Sequence, residues 1–229
     1  MGRLALILSL LAGAVVPARA ADDAGALARA RALYNKGDFD AALAAADDAR
    51  RAPERADSAD LIAARALLER YRASASNEDL TRARERLRRL GPARLSARER
   101  IEYLIGLGET LYFESSAGAA ASVFDTVLRA ADTQAFDGRD LVLDWWASAV
   151  EQDARPRTEF ERQALYGMVR VRMREELGRR PSSAAASYWV AAAARGEGDL
   201  QAAWDEAQDR KSTRLNSSHV SESRMPSSA

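Results

Sequence analysis

The chain has no cysteine. Disulfides, cysteine-ligated metals, thiol nucleophiles and a lipid-anchored N-terminal cysteine are therefore excluded. Its single histidine, His219, lies in a tail set aside below, so no histidine is left for catalysis or metal binding. Lysine occurs only at Lys36 and Lys211, and arginine carries the rest of the positive charge, a bias that fits a GC-rich gene better than phosphate binding. Neither charge sign dominates, with 34 basic and 34 acidic residues. This leaves no electrostatic footprint for nucleic acid. Valine, isoleucine and threonine are sparse and no alternating pattern indicates a strand, so a glycine-rich phosphate loop following a strand is absent as well. Alanine, leucine, arginine and glutamate, all strong helix formers, dominate instead.

The longest apolar run, Leu4 to Val16, is too short to cross a bilayer comfortably. With Arg3 before it and Ala18-Arg19-Ala20 after it, residues 1–20 have the three regions of a secretory signal peptide. The expectation is export to the periplasm or beyond, a mature start at Ala21 and no membrane insertion after cleavage. At the other end, DRKSTRLNSSH (Asp209 to His219) and SRMPSSA (Ser223 to Ala229) resemble the translation of a widely used short-read sequencing adapter. They flank a short variable gap where such an adapter carries its index. Residues 209–229 are therefore expected to be an artefactual, disordered tail that truncates the native chain inside a helix near Gln208. The informative domain is 21–208, with 28 basic and 32 acidic residues, a net of −4.

Glycine and proline punctuate that domain at Gly37-Asp38, Pro53, Gly91-Pro92, Gly138, Pro156, Gly178 and Pro181. Between them the periodicity predicts helices at 23–36, 39–51, 57–74, 78–90, 96–114, 117–131, 139–153, 157–177, 182–195 and 199–208. Loops this short make sequence neighbours pack antiparallel. In the 157–177 helix the apolar stripe is read as Phe160, Ala164, Met168 and Val171. GDFDAAL at Gly37 and GDLQAAW at Gly198 repeat one pattern. Glycine makes a turn, aspartate caps the next helix, and an alanine sits where two helices approach closely. A third unit places Leu104, Leu107, Gly108 and Leu111 on one face, continued by Ala120, Phe124 and Val127 on the next helix.

These registers resemble the tetratricopeptide repeat, whose units are pairs of antiparallel helices. The resemblance covers most of 21–208 unevenly. Its spacing exceeds the family's ~34 residues, and the 139–177 pair lacks the Gly-Asp turn. It implies an all-α, irregular right-handed solenoid of antiparallel helix pairs, with Ala42, Gly108, Ala120 and Ala203 buried at tight crossings. It also implies a concave groove that binds another protein or an extended peptide. Carried over by register, the groove positions are Arg31, Tyr34, Asn35 and Arg72, followed by Glu109, Tyr112, Phe113 and Tyr188.

No catalytic constellation, metal site or cofactor motif emerges. Acidic residues, Glu175 and Glu176 included, are read as solvent-facing. Arg82, Arg86 and Arg89 share a face with Glu78, Asp79 and Glu85 as expected partners. Trp145 and Trp146 point about 100° apart on a helix and are read as core. The function expected is a non-enzymatic exported adaptor. A glycan-binding or envelope-polymer-binding helical module, or an accessory domain of a larger enzyme, remains open.

Overall fold

In the computed structural model, residues 18–131 and 138–208 are described, with the side chains of 18–24 and 131 left aside. Residues 1–17, most of the expected signal peptide, and the expected tail 209–229 lie outside them. The described chain is all-α, with helices α1 (Ala18–Asn35), α2 (Phe39–Ala49), α3 (Ala56–Ser74), α4 (Asn77–Arg89) and α5 (Ala97–Phe113). They continue with α6 (Ala117–Ala131), α7 (Arg139–Ala154), α8 (Glu159–Arg179), α9 (Ala184–Gly196) and a last helix, α10, over 200–208. Helix α1 begins at Ala18, before the expected 23. No described helix is long and apolar enough to cross a membrane.

Consecutive helices pack as pairs, and the odd-numbered helices touch in series: α1 on α3, α3 on α5, α5 on α7, α7 on α9. Four of the five odd-to-even turns share one device, a residue with positive φ: Gly37 (80°), Ala75 (54°), Ser115 (62°) and Gly198 (86°). After three of them, an amide reaches back five residues to a carbonyl: Asp38 to Leu33, Ser116 to Leu111, and Asp199 to Ala194. That bond closes the preceding helix by satisfying an orphan carbonyl. Asp38 and Asp199 then cap the next helix by accepting from the amides of Ala41 and Ala202 at 3.2 and 3.0 Å. At the Gly-Asp turns the sequence supplies glycine. Ala75 and Ser115 hold the same left-handed conformation with a Cβ, at a cost of roughly 1–2 kcal/mol each. The α7–α8 turn has no positive φ; the Thr158–Glu161 capping box starts α8 instead.

Small residues set the helix spacing. Ala42 and Ala120 are fully buried, and Gly108 lies against the Phe124 ring. Ala203, expected to match them, is only half-buried, and its neighbours Leu200 and Trp204 are 69 % and 63 % exposed. Of their counterparts in the first unit, Leu43 is 7 % exposed in a cluster with Ile62 and Ala63 of the next helix, and half-buried Phe39 packs on Tyr34 at 5.8 Å. Trp145 and Trp146 both lie in the core with Phe124, Val127 and Met173, as expected.

Helix α8 departs from its expected orientation. Phe160, Ala164, Met168 and Val171 face outward, and the buried side chains are Val169, Met173 and Glu176. Spaced i, i+4, i+7, these make a second stripe on the opposite side of the helix. They win because α8 leans chiefly on α9, packing only thinly on its own partner α7. Several acidic residues are likewise not solvent-facing. Asp60, Asp79, Glu102, Glu109 and Glu176 are buried, each facing arginine. Asp79 pairs with Arg70 at 3.1 Å, not with the α4 arginines. Arg86 turns inward to Asp60 and Asp47, and Arg82 and Arg89 pair with Glu78 and Glu85.

Candidate functional site

The row of odd-numbered helices brings together polar and aromatic groups from four helices. On α3, Arg65, Glu69 and Arg72 follow at i, i+4, i+7 and therefore share one face. Glu109 and Phe113 do the same on α5. The Arg65 guanidinium lies 5.3 Å from the centre of the Tyr34 ring of α1. Arg72 lies 5.4 Å over the Trp145 ring of α7 and donates to Glu69 at 2.9 Å. Trp145 is walled by Tyr112 (5.1 Å), Phe113 (5.6 Å) and Phe124 (6.0 Å), and Tyr71 packs on Phe113 at 4.7 Å.

Of the eight positions named from the sequence, Tyr34, Arg72, Glu109, Tyr112 and Phe113 join this cluster. Arg31 sits at its margin, paired with Glu102 at 2.9 Å and Glu99 at 3.8 Å. Asn35 is exposed at the end of α1. Tyr188 stands apart on α9, 47 % exposed, with its ring edge-on to Trp189, which donates to Asp144 at 2.8 Å. Arg65, Glu69, Tyr71 and Trp145 belong to the site and were not named for it. The signal for the first two was present: Arg65 and Glu69 interrupt an apolar helix, LIAARALLERYR, at helical spacing with Arg72.

Glu109 is the unusual group. It is 2 % exposed, and its Oε1 has no hydrogen-bond partner among the described residues. Trp145 Nε1, a buried donor, has none either. Burial raises the Glu109 carboxyl to about 7, against the pull of Arg65; Glu69 adds to the rise and Arg72 opposes it. Burial also pushes the Tyr34 hydroxyl up to about 12. A carboxyl near neutrality can exchange protons, yet among the described residues no group of three or more His, Cys, Asp and Glu has metal-binding geometry.

The shift has a sign. Folded Glu109 holds its proton more tightly than the unfolded chain does, so its burial costs stability progressively as pH rises from about 4.5 to 7. Glu109→Gln removes that cost. The variant should gain roughly 1–3 kcal/mol over the parent at pH 8 and nearly nothing at pH 4.5, read from urea denaturation at both pH values. An equal effect at both would show that Glu109 is not protonated at the lower pH.

A second surface feature lies outside this row. A groove of about 630 Å³ opens between α6, α7 and α8, lined by Ala121, Trp146, Val150, Met168 and Val171. Arg172 spans it, 4.7 Å over the Trp146 ring and paired with Asp125. Compared with family models, curated proteins and solved structures, the chain gives no significant match.

Proposed function

We propose that this chain is a non-enzymatic helical-repeat adaptor, exported by its N-terminal segment, that binds another protein or an extended peptide along the odd-numbered helices. The observation that carries the reading is the cluster around Arg72. It combines Tyr and Trp rings with an arginine, the residue types that dominate binding hot spots. Kinship with the tetratricopeptide repeat is supported by the recurring positive-φ turn. Its step of roughly 40 residues marks the chain as a divergent form.

The test is selection from a random extended-peptide library, with affinities measured by fluorescence anisotropy. Tyr112→Ala and Arg72→Ala should each weaken a selected peptide about tenfold or more, about 1.4 kcal/mol. Phe160→Ser, at an exposed position of α8 outside the cluster, should leave it unchanged. Binding insensitive to both site variants would reject this location. The exposure of Tyr188 and Trp204 favours a second reading, a glycan-binding module. Glycan-array binding lost in Tyr188→Ala or Trp204→Ala, with no peptide selected, would establish that reading instead.

A further inference from the structure

We infer that the chain forms a two-fold symmetric homodimer through the outer face of α8, with the two copies of this helix antiparallel. The face is unusual for a monomer surface. Phe160 is 83 % exposed, Val171 59 % and Met168 46 %, and exposed Ala164 completes the row. They occupy one stripe over three turns, and the helix already has a separate buried stripe in Val169 and Met173. A contiguous apolar row of this kind marks an interaction site more often than isolated exposed side chains do.

The order of residues along the face identifies the occupant as a second copy. Laid antiparallel on itself about a centre at Tyr166, the helix sets Ala164 opposite Met168 and brings Phe160 to within one residue of the position opposite Val171, an axial offset of about 1.5 Å. The same centre brings Glu159 to within one residue of the position opposite Arg174 on one flank, and Glu161 to within one residue of the position opposite Arg172 on the other, both within reach of long side chains. The apolar row thus meets itself, and the acidic residues at the start of the face come beside basic ones near its end. A two-fold axis then generates each pair twice, as an isologous interface requires. These charges already have partners within the chain, such as Arg162 for Glu159, Asp125 for Arg172 and Glu206 for Arg174. Their role is to orient the copies and exclude the parallel arrangement, while the apolar row supplies the affinity. Two more observations fit the same register. Val171 and Met168 border the groove between α6, α7 and α8, so Phe160 of the second copy arrives at its mouth. The small side chain of Ala164 beside the centre lets the helices approach closely. A membrane surface would use the apolar row but would not require the mirrored order of charges.

The absence of cysteine permits a direct test. Ala164→Cys and Met168→Cys are made as separate proteins, both at exposed positions. Under mild oxidation a one-to-one mixture should cross-link several-fold faster than either protein alone, because only the mixed pair brings the two thiols face to face. Sedimentation velocity over a concentration series should show a reversible monomer–dimer equilibrium. Phe160→Glu, at a site too exposed to perturb the fold, should shift it at least about tenfold toward monomer. The inference is overturned if the protein stays monomeric throughout, or if the single-cysteine proteins cross-link with themselves as fast as with each other. A dimer indifferent to Phe160→Glu, or monomer binding to lipid vesicles that this variant abolishes, would overturn it equally.

Discussion

Replacing Glu176 with alanine is expected to cost about 3–5 kcal/mol, a large share of the whole stability of a domain this size. Glu176 is 2 % exposed and accepts from Nε and Nη2 of Arg139, each at 2.9 Å, with a further bond from Arg180 at 2.6 Å. Arg180 also reaches Asp140 at 2.9 Å, and Asp140 accepts from Ser183 at 2.9 Å and from the Ala184 amide at 3.0 Å. One network therefore ties the start of α7, the end of α8 and the start of α9, where α8 packs only thinly on α7. Truncation takes from the Arg139 side chain, 11 % exposed, the carboxylate that accepts from its Nε and Nη2. Arg139 holds the Glu176 carboxyl at about 2, below its ordinary value. Its contribution is therefore complete above about pH 4.5 and disappears as pH falls toward 2, an acid-labile part of about 3 kcal/mol. Urea denaturation at neutral pH and at pH 3 measures both effects. The alanine variant should lose far less on acidification than the parent, and a neutral-pH loss below about 1 kcal/mol would show that the network contributes little.

Helix positions were legible because the punctuation is chemical. Ser96 with Glu99 and Thr158 with Glu161 form capping boxes, and Gly37 and Gly198 take the left-handed φ that ends a helix. The equivalent turns at Ala75 and Ser115 were not legible, since nothing in those residue types asks for positive φ; only the surrounding helices impose it. Helix α8 shows a second limit. Phe160-Met168-Val171 and Val169-Met173 both have helical period, and periodicity alone does not say which stripe meets the core. Glu175 and Glu176 are a third case. They are chemically identical neighbours, one exposed and one buried, and the difference is made by Arg139 on another helix. In the candidate site, the aromatic positions on α5 followed from register. The part played by Arg65 and Trp145 depends on contacts between helices distant in sequence, which spacing within one helix does not encode.

Gly108 offers the sharpest test of the register, because its effect reverses the usual preference of helices. Alanine in place of glycine in a helix interior ordinarily gains about 1 kcal/mol. At Gly108 an added Cβ would lie 2.6 Å from the Phe124 ring, closer than packed carbons allow. Phe124 is fully buried and stacks on Trp145 at 6.0 Å, so the ring has no free direction in which to retreat. Gly108→Ala is expected to destabilise despite the gain in helix propensity. Gly108→Leu should cost roughly 3 kcal/mol, at the upper end of typical overpacking effects. Gly178 in α8 serves as the control, since its Cβ would meet nothing within 4 Å and alanine there should stabilise by about 0.5–1 kcal/mol. If the contact with Phe124 is the cause, Gly108→Ala combined with Phe124→Leu should be less damaging than the sum of the two, with a coupling of about 0.5–3 kcal/mol. Thermal and urea denaturation of the four proteins in this cycle measure that coupling. Additive losses, or stabilisation by Gly108→Ala alone, would mean that α5 and α6 do not cross at this residue and that the repeat register is misplaced.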